Sequence, residues 1–220
     1  SFLLCQFEYF EAADHIGRLA VFLLDKCKAE KYRPGIYMLY YGVVRSWNVH
    51  IEQNLEYLLR GYHVGMQTGN IEAALFTIYS YLINSFTCGR KLVKLKKELD
   101  SFGKKALENK QMAVHNLICL MQLVVSTLLI SSDSPSLIGC QNTEIKDLLD
   151  QAKNTFAVCH VYILGYIEAY IFGEYELAAK MVEKRQEVEK TMSRRSLYFG
   201  MIDFYDGLVF LAMARKMNDE

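Results

Sequence analysis

Residues Asn54 to Leu82, NLEYLLRGYHVGMQTGNIEAALFTIYSYL, read as two helices joined by a tight turn, and a chain built around such a unit has few folds open to it. Leu55, Leu58, Leu59, Tyr62 and Met66 recur at helical spacing as one apolar stripe, and Glu56, Arg60, His63 and Gln67 fall on the other side. Gly69 is the expected stop, because a residue without Cβ enters the left-handed region at no steric cost. Asn70 is suited to cap the next helix, which Glu72 and Ala73 continue with good helix propensity. Ala73 and Ala74 are small where the two helices must approach most closely. The unit is an αα-hairpin, the building block of helical-repeat arrays.

The rest of the chain follows the same grammar. Residues 2–13 and 14–30 predict two helices, the second burying Ile16, Leu19, Ala20, Leu23, Leu24 and Cys27. Pro34 is expected to push Arg33 out of the helical region, so 31–35 reads as a break. Residues 36–47 suit a strand by composition, but lie between helices and also fit a buried helix. The aromatics there, Tyr37, Tyr40, Tyr41 and Trp47, read first as core, since rings dominate helix–helix packing, and second as the lining of a groove. A charged helix over 90–110 points Leu92, Leu95, Leu99 and Phe102 inward, and 111–131 is the most hydrophobic helix. Residues 131–142 read as a loop and 143–153 as a short helix. Further helices are expected over 155–172, 174–192 and 193–215.

Gly173-Glu174-Tyr175-Glu176-Leu177-Ala178 repeats Gly69-Asn70-Ile71-Glu72-Ala73-Ala74 as G-x-x-E-x-A, which makes Gly173 and Glu174 the stop and start of a second hairpin. The two glycines lie 104 residues apart, near three tetratricopeptide periods of about 34 residues. No stretch alternates at period two between turn signals, so no sheet is expected. The expected architecture is all-α: an irregular tetratricopeptide-like solenoid of about ten antiparallel helices, one domain over 1–220, with 131–142 as the place for any sub-division.

Charge and motif exclude several classes of function. Lys and Arg total 25 and Asp and Glu total 25, so no net field draws nucleic acid or an anionic membrane. The basic run Arg90, Lys91, Lys94, Lys96, Lys97 is diluted by Glu98 and Asp100, lacks interleaved aromatics, and reads as a solvated face. Polar residues interrupt 112–130, which reads as a fully buried central helix rather than a membrane span. Cys159 and His160 are adjacent and point about 100° apart, which does not suit one metal ion. No nucleophile elbow and no phosphate loop is present, so no catalytic, cofactor or metal residue is assigned. The six cysteines form no CxxC pair, which favours a reducing, cytoplasmic setting over a disulfide framework. The chain starts at Ser1 inside an apolar run and reads as a piece of a longer polypeptide without a signal peptide.

A family resemblance runs through these residues. Ser46-Trp47, Tyr62, Gly65-Met66-Gln67-Thr68-Gly69-Asn70, Ala73-Ala74, Tyr81, Cys88-Gly89-Arg90-Lys91-Leu92, Leu137-Ile138-Gly139 and Tyr170 to Ala178 occur in an order that resembles the tetratricopeptide-like segment following the AAA-type, STAND-like ATPase of very large signalling proteins. Those proteins join a serine/threonine kinase-like domain, the ATPase, the helical segment, a GAF sensor and a histidine kinase. Asn70 departs from the Asp usual in that turn and removes a charge from the helix N-terminus. The resemblance implies a non-catalytic regulatory or scaffold segment that contacts neighbouring domains or a partner protein. A small-molecule-sensing helical domain is the alternative, and an all-α enzyme the third reading.

Overall fold

The computed structural model describes residue 4 and residues 9–130, 155–190 and 199–219, and among these every regular element is a helix and none is a strand. The α-helices are α1 (Phe10–Lys26), α2 (Arg33–Leu39), α3 (Leu55–Gln67), α4 (Ile71–Thr87), α5 (Leu92–Glu108), α6 (Met112–Ile130), α7 (Thr155–Ile171), α8 (Tyr175–Lys190) and α9 (Phe199–Asp219). The loop expected at 131–142 and the helix expected at 143–153 lie outside the described residues. The chain forms two compact units, Ser1–Cys119 and Leu120–Glu220. Their division falls within α6.

In the first unit α1 is one helix through the junction expected at residues 13 and 14. Its buried residues are Ala13, Gly17 and Leu24, whereas Ile16, Leu19, Leu23 and Cys27, expected inside, are exposed. Close packing explains the rotation. A Cβ on Gly17 would lie 2.1 Å from Tyr40 Cδ2, so only glycine admits this ring, and the small-residue face turns inward. The Tyr40 hydroxyl donates to Asp14 at 3.0 Å and fixes the contact.

Pro34 does not break the chain as expected. Arg33 is helical (φ −56, ψ −45) and Pro34 sits in the first turn of α2, where its missing N–H costs no helical bond. The buried Arg33 guanidinium holds this start. It donates to both carboxylate oxygens of Glu30 (2.7 and 2.6 Å), to Asp25 (2.7 Å) and to the Tyr37 hydroxyl (2.7 Å). That hydrogen bonding lowers the Glu30 carboxyl below its usual range. Residues 36–47 are helical, not strand: α2 continues as a π-helical turn, Tyr40–Val44, and a 3₁₀ turn, Arg45–Trp47. The Gly42 carbonyl in the π turn accepts from Asn84 Nδ2 at 3.2 Å.

The helices α3 and α4 form the hairpin. Leu55, Leu58 and Tyr62 are buried, and Glu56, Arg60, His63 and Gln67 are exposed. A Cβ on Gly65 would lie 2.7 Å from Ala74 Cβ, and one on Gly61 would lie 3.1 Å from Thr77 Cγ2. Contacts running in opposite numerical order make the two helices antiparallel. Gly69 has φ +75 with open space around it, so conformation alone requires glycine there.

The second unit holds a hairpin of the same construction, α7 and α8. Gly173 has φ +79, and the Glu174 N–H donates to the Ala169 carbonyl at 2.9 Å, closing the turn. The shared register extends beyond G-x-x-E-x-A. Gly61-Tyr62 corresponds to Gly165-Tyr166, Gly65 to Ala169, Ala74 to Ala178 and Ile78 to Val182, all at the same 104-residue offset and all buried, and a Cβ on Gly165 would lie 2.8 Å from Met181 Sδ. In both hairpins a small residue stands eight before the turn glycine, another four before, and an alanine five after.

Candidate functional site

The aromatic residues singled out in the sequence divide between core and surface. Tyr37, Tyr40 and Tyr41 are buried, which corrects the groove role considered for them. Tyr41 stacks on Tyr57 at 4.1 Å and meets Tyr37 edge-on at 4.9 Å, and the Arg45 guanidinium lies over both Tyr41 and Tyr57. Arg45 also donates to Asn54 Oδ1 at 2.9 Å, and the buried Asn54 amide donates to Ser46 Oγ at 3.1 Å. Burial pushes the Tyr41 hydroxyl up to about 12, with Tyr37 and Tyr57 adding to the effect. Trp47 differs: it is half-exposed and stacks on Phe10 at 4.4 Å.

Asn70 occupies the N-cap position of α4 (φ −86, ψ 63), but its side chain makes no cap hydrogen bond. Nδ2 instead donates to the Lys31 carbonyl at 2.9 Å and ties the turn to the start of α2. A carboxylate cannot donate there, which accounts physically for Asn in place of Asp. Glu174 serves the second turn through its backbone, its carbonyl accepting from the Ala178 N–H at 2.9 Å.

A charge cluster that the sequence reading missed lies inside the second unit. Arg185 on α8 is 3% exposed and donates to Glu189 at 2.6 Å and to Asp206 on α9. The guanidinium carbon stands 5.9 Å from the Tyr166 ring centroid. Burial outweighs Arg185 and raises the Asp206 carboxyl above the ordinary carboxylate range. Burial, and then the Asp206 charge, raise Tyr166. The Cys159 thiol faces Glu189 Oε1 at 3.8 Å, and burial pushes it up to about 12, so it stays protonated and unreactive. Next to it, His160 Nδ1 donates to the Phe156 carbonyl at 3.0 Å. Burial lowers this imidazole to about 4, partly offset by that bond. The Arg185/Glu189 spacing of four is the one sequence signal for the cluster, and nothing local points to Asp206.

Other candidates are locally satisfied. In the basic run, Lys94 pairs with Glu98 at 4.0 Å, Lys96 with Asp100 at 3.5 Å, and Arg90 donates to the Tyr81 hydroxyl at 2.7 Å. Among the described residues no three His, Cys, Asp or Glu side chains are grouped to hold a metal ion. Cys27, Cys88, Cys119 and Cys159 form no disulfide, and Cys5 and Cys140 lie outside the described residues. The helix α6 is long and apolar enough to cross a membrane, with mean hydropathy 2.0, and 44% of it is buried, so it is not the fully enclosed helix expected.

Two surfaces stand out among the described residues. On α1, Ile16, Leu19, Phe22 and Leu23 are 43, 48, 58 and 45% exposed and fall at helical spacing as one apolar stripe about a third of a turn from the buried face. In the second unit, Tyr170, Tyr175, Leu208, Leu211, Ala212, Arg215 and Lys216 line a groove of about 600 Å³. No protein-family model, curated protein or solved structure matches this chain.

Proposed function

We propose that this chain is a non-catalytic helical-repeat module, tetratricopeptide-like in its hairpins, that docks a partner protein or neighbouring domains of a longer signalling polypeptide. The exposed apolar stripe of α1 carries the reading. Four large apolar side chains on one helix face cost free energy in water, and contiguous apolar surface of this kind marks interaction sites. The two hairpins supply rigid supports of the kind that repeat arrays use to present a face. A regulatory segment between an ATPase and a kinase output is the context proposed from the resemblance at the hairpin turns. In that context the stripe transmits nucleotide state as a change in packing.

Photo-crosslinking in the native host tests the docking role. A photoreactive phenylalanine analogue at position 22 is expected to give one crosslinked protein segment, lost when Leu19→Asp is added. Crosslinks to no protein, or crosslinks indifferent to Leu19→Asp, would overturn it. A second reading, sensing of a small effector, is favoured by the groove beside α9, which combines concavity, aromatic walls and charge.

A further inference from the structure

We propose that the groove of the second unit binds a small organic anion with a ring-sized apolar body, its carboxylate or phosphate held by Arg215, with Lys216 beside it. This rests on the sensing reading and names the ligand class. Leu208, Leu211, Ala212 and Arg215 follow one another at helical spacing along α9, so one face presents an apolar floor that ends in a cation. Tyr170 at the end of α7 and Tyr175 at the start of α8 supply ring walls, with centroids 5.6 Å apart and planes inclined by 49°. Tyr205 meets Tyr170 edge-on at 6.1 Å and supports it from α9. The volume of about 600 Å³ falls within the range for small-ligand sites, roughly 300–1,000 Å³, and suits one or two fused rings.

Charge selects the anion. The lining holds two cations and, among the described residues, no acid. Lys216 pairs with Glu176 at 2.6 Å, but both side chains are largely exposed, and such a pair contributes little to stability. Arg215 is the cation that meets the anion, and Lys216 adds positive charge beside it. Arg215 offers a planar fork that matches a carboxylate or phosphate edge. A flat apolar body between the tyrosines and Leu208, with its charge at Arg215, uses every element of the lining.

Titration calorimetry of the full chain with 2-naphthoate and with neutral 2-naphthylmethanol tests this. The expected result is one site for 2-naphthoate, at least about tenfold tighter than for the alcohol, weakening as salt is added. Arg215→Gln, at an exposed position, should bring the two probes to within about twofold of each other, and Leu211→Glu should abolish both. Phe22→Ser, on the other apolar surface, should change neither. Equal affinity of the two probes in the parent chain would overturn the anion assignment while leaving the groove as a ligand site. Binding of neither, or binding lost in Phe22→Ser and kept in Leu211→Glu, would overturn the site and the sensing reading together. Circular dichroism of each variant separates loss of binding from loss of fold.

Discussion

Gly65 and Gly69 stand one helical turn apart and are required for different reasons. Gly69 lies at φ +75 in open space, so a side chain there meets strain and no clash. Gly65 is buried in α3, and a Cβ there would lie 2.7 Å from Pro34 Cγ and 3.1 Å from Ala74 Cα. Gly69→Val is expected to cost about 1–3 kcal/mol and Gly69→Asn a few tenths, because Asn tolerates the left-handed region. Gly65→Ala is expected to cost about 1–3 kcal/mol by overpacking, and Gly65→Asn more. Urea denaturation checks all four, and a neutral Gly69→Val would contradict the turn conformation.

His160 gives a second test at this scale. Burial holds its imidazole near pH 4 in the folded state, against an ordinary value of 6.5. Below about pH 6.5 the unfolded chain therefore takes up a proton that the folded chain refuses. Stability should fall as pH drops from about 6.5 to about 4, and be unaffected by this group above 6.5. The loss expected from this residue is roughly 1–3 kcal/mol, read as a flatter pH dependence of the urea midpoint in His160→Phe. Equal slopes for the two proteins would show that the imidazole protonates freely in the fold.

The elements differ in how they are held, and that difference separates what the sequence discloses from what it hides. The α3–α4 hairpin is readable because its turn and its close contact are written within about 30 residues: Gly69 sets the stop, and Ala74 meets Gly65. The same grammar finds α7–α8. The orientation of α1 is not readable in this way. Its apolar arc is broad, and the choice of inner face depends on Tyr40 entering at Gly17, a contact between residues 23 positions apart. The start of α2 escaped for a similar reason: Arg33 is held in helical conformation by Glu30, Asp25 and Tyr37 against the bias from Pro34.

The charge cluster of α8 and α9 belongs to this scale too. Removing Arg185 leaves Glu189 and Asp206 facing each other with little water, so Arg185→Ala is expected to destabilise by about 2–4 kcal/mol, moderated because both acids are partly exposed. Arg185→Met/Glu189→Leu/Asp206→Leu should recover most of that loss, since apolar replacement of a buried ion pair is often neutral. Chemical denaturation of the single and triple variants distinguishes the cases. A triple variant as unstable as Arg185→Ala would mean that packing around the arginine stem, not uncompensated charge, sets the cost.

At the scale of the whole molecule, balanced charge and the two hairpin-bearing units suit a module that works by contact. The surfaces that contact would use are the ones the sequence conceals. Ile16, Leu19 and Leu23 of the α1 stripe read as core because periodicity reports an apolar face without saying what covers it. The groove is hidden because its walls come from the end of α7, the start of α8 and one short stretch of α9.

Hydrogen exchange across Phe10–Lys26, compared between the isolated chain and the chain bound to the protein that crosslinking at position 22 captures, tests the interaction role most directly. Docking on the stripe should slow exchange there at least about tenfold, and Phe22→Ser should restore the faster rate. Identical exchange in the two settings would mean that nothing covers the helix, and would contradict the role proposed for this chain.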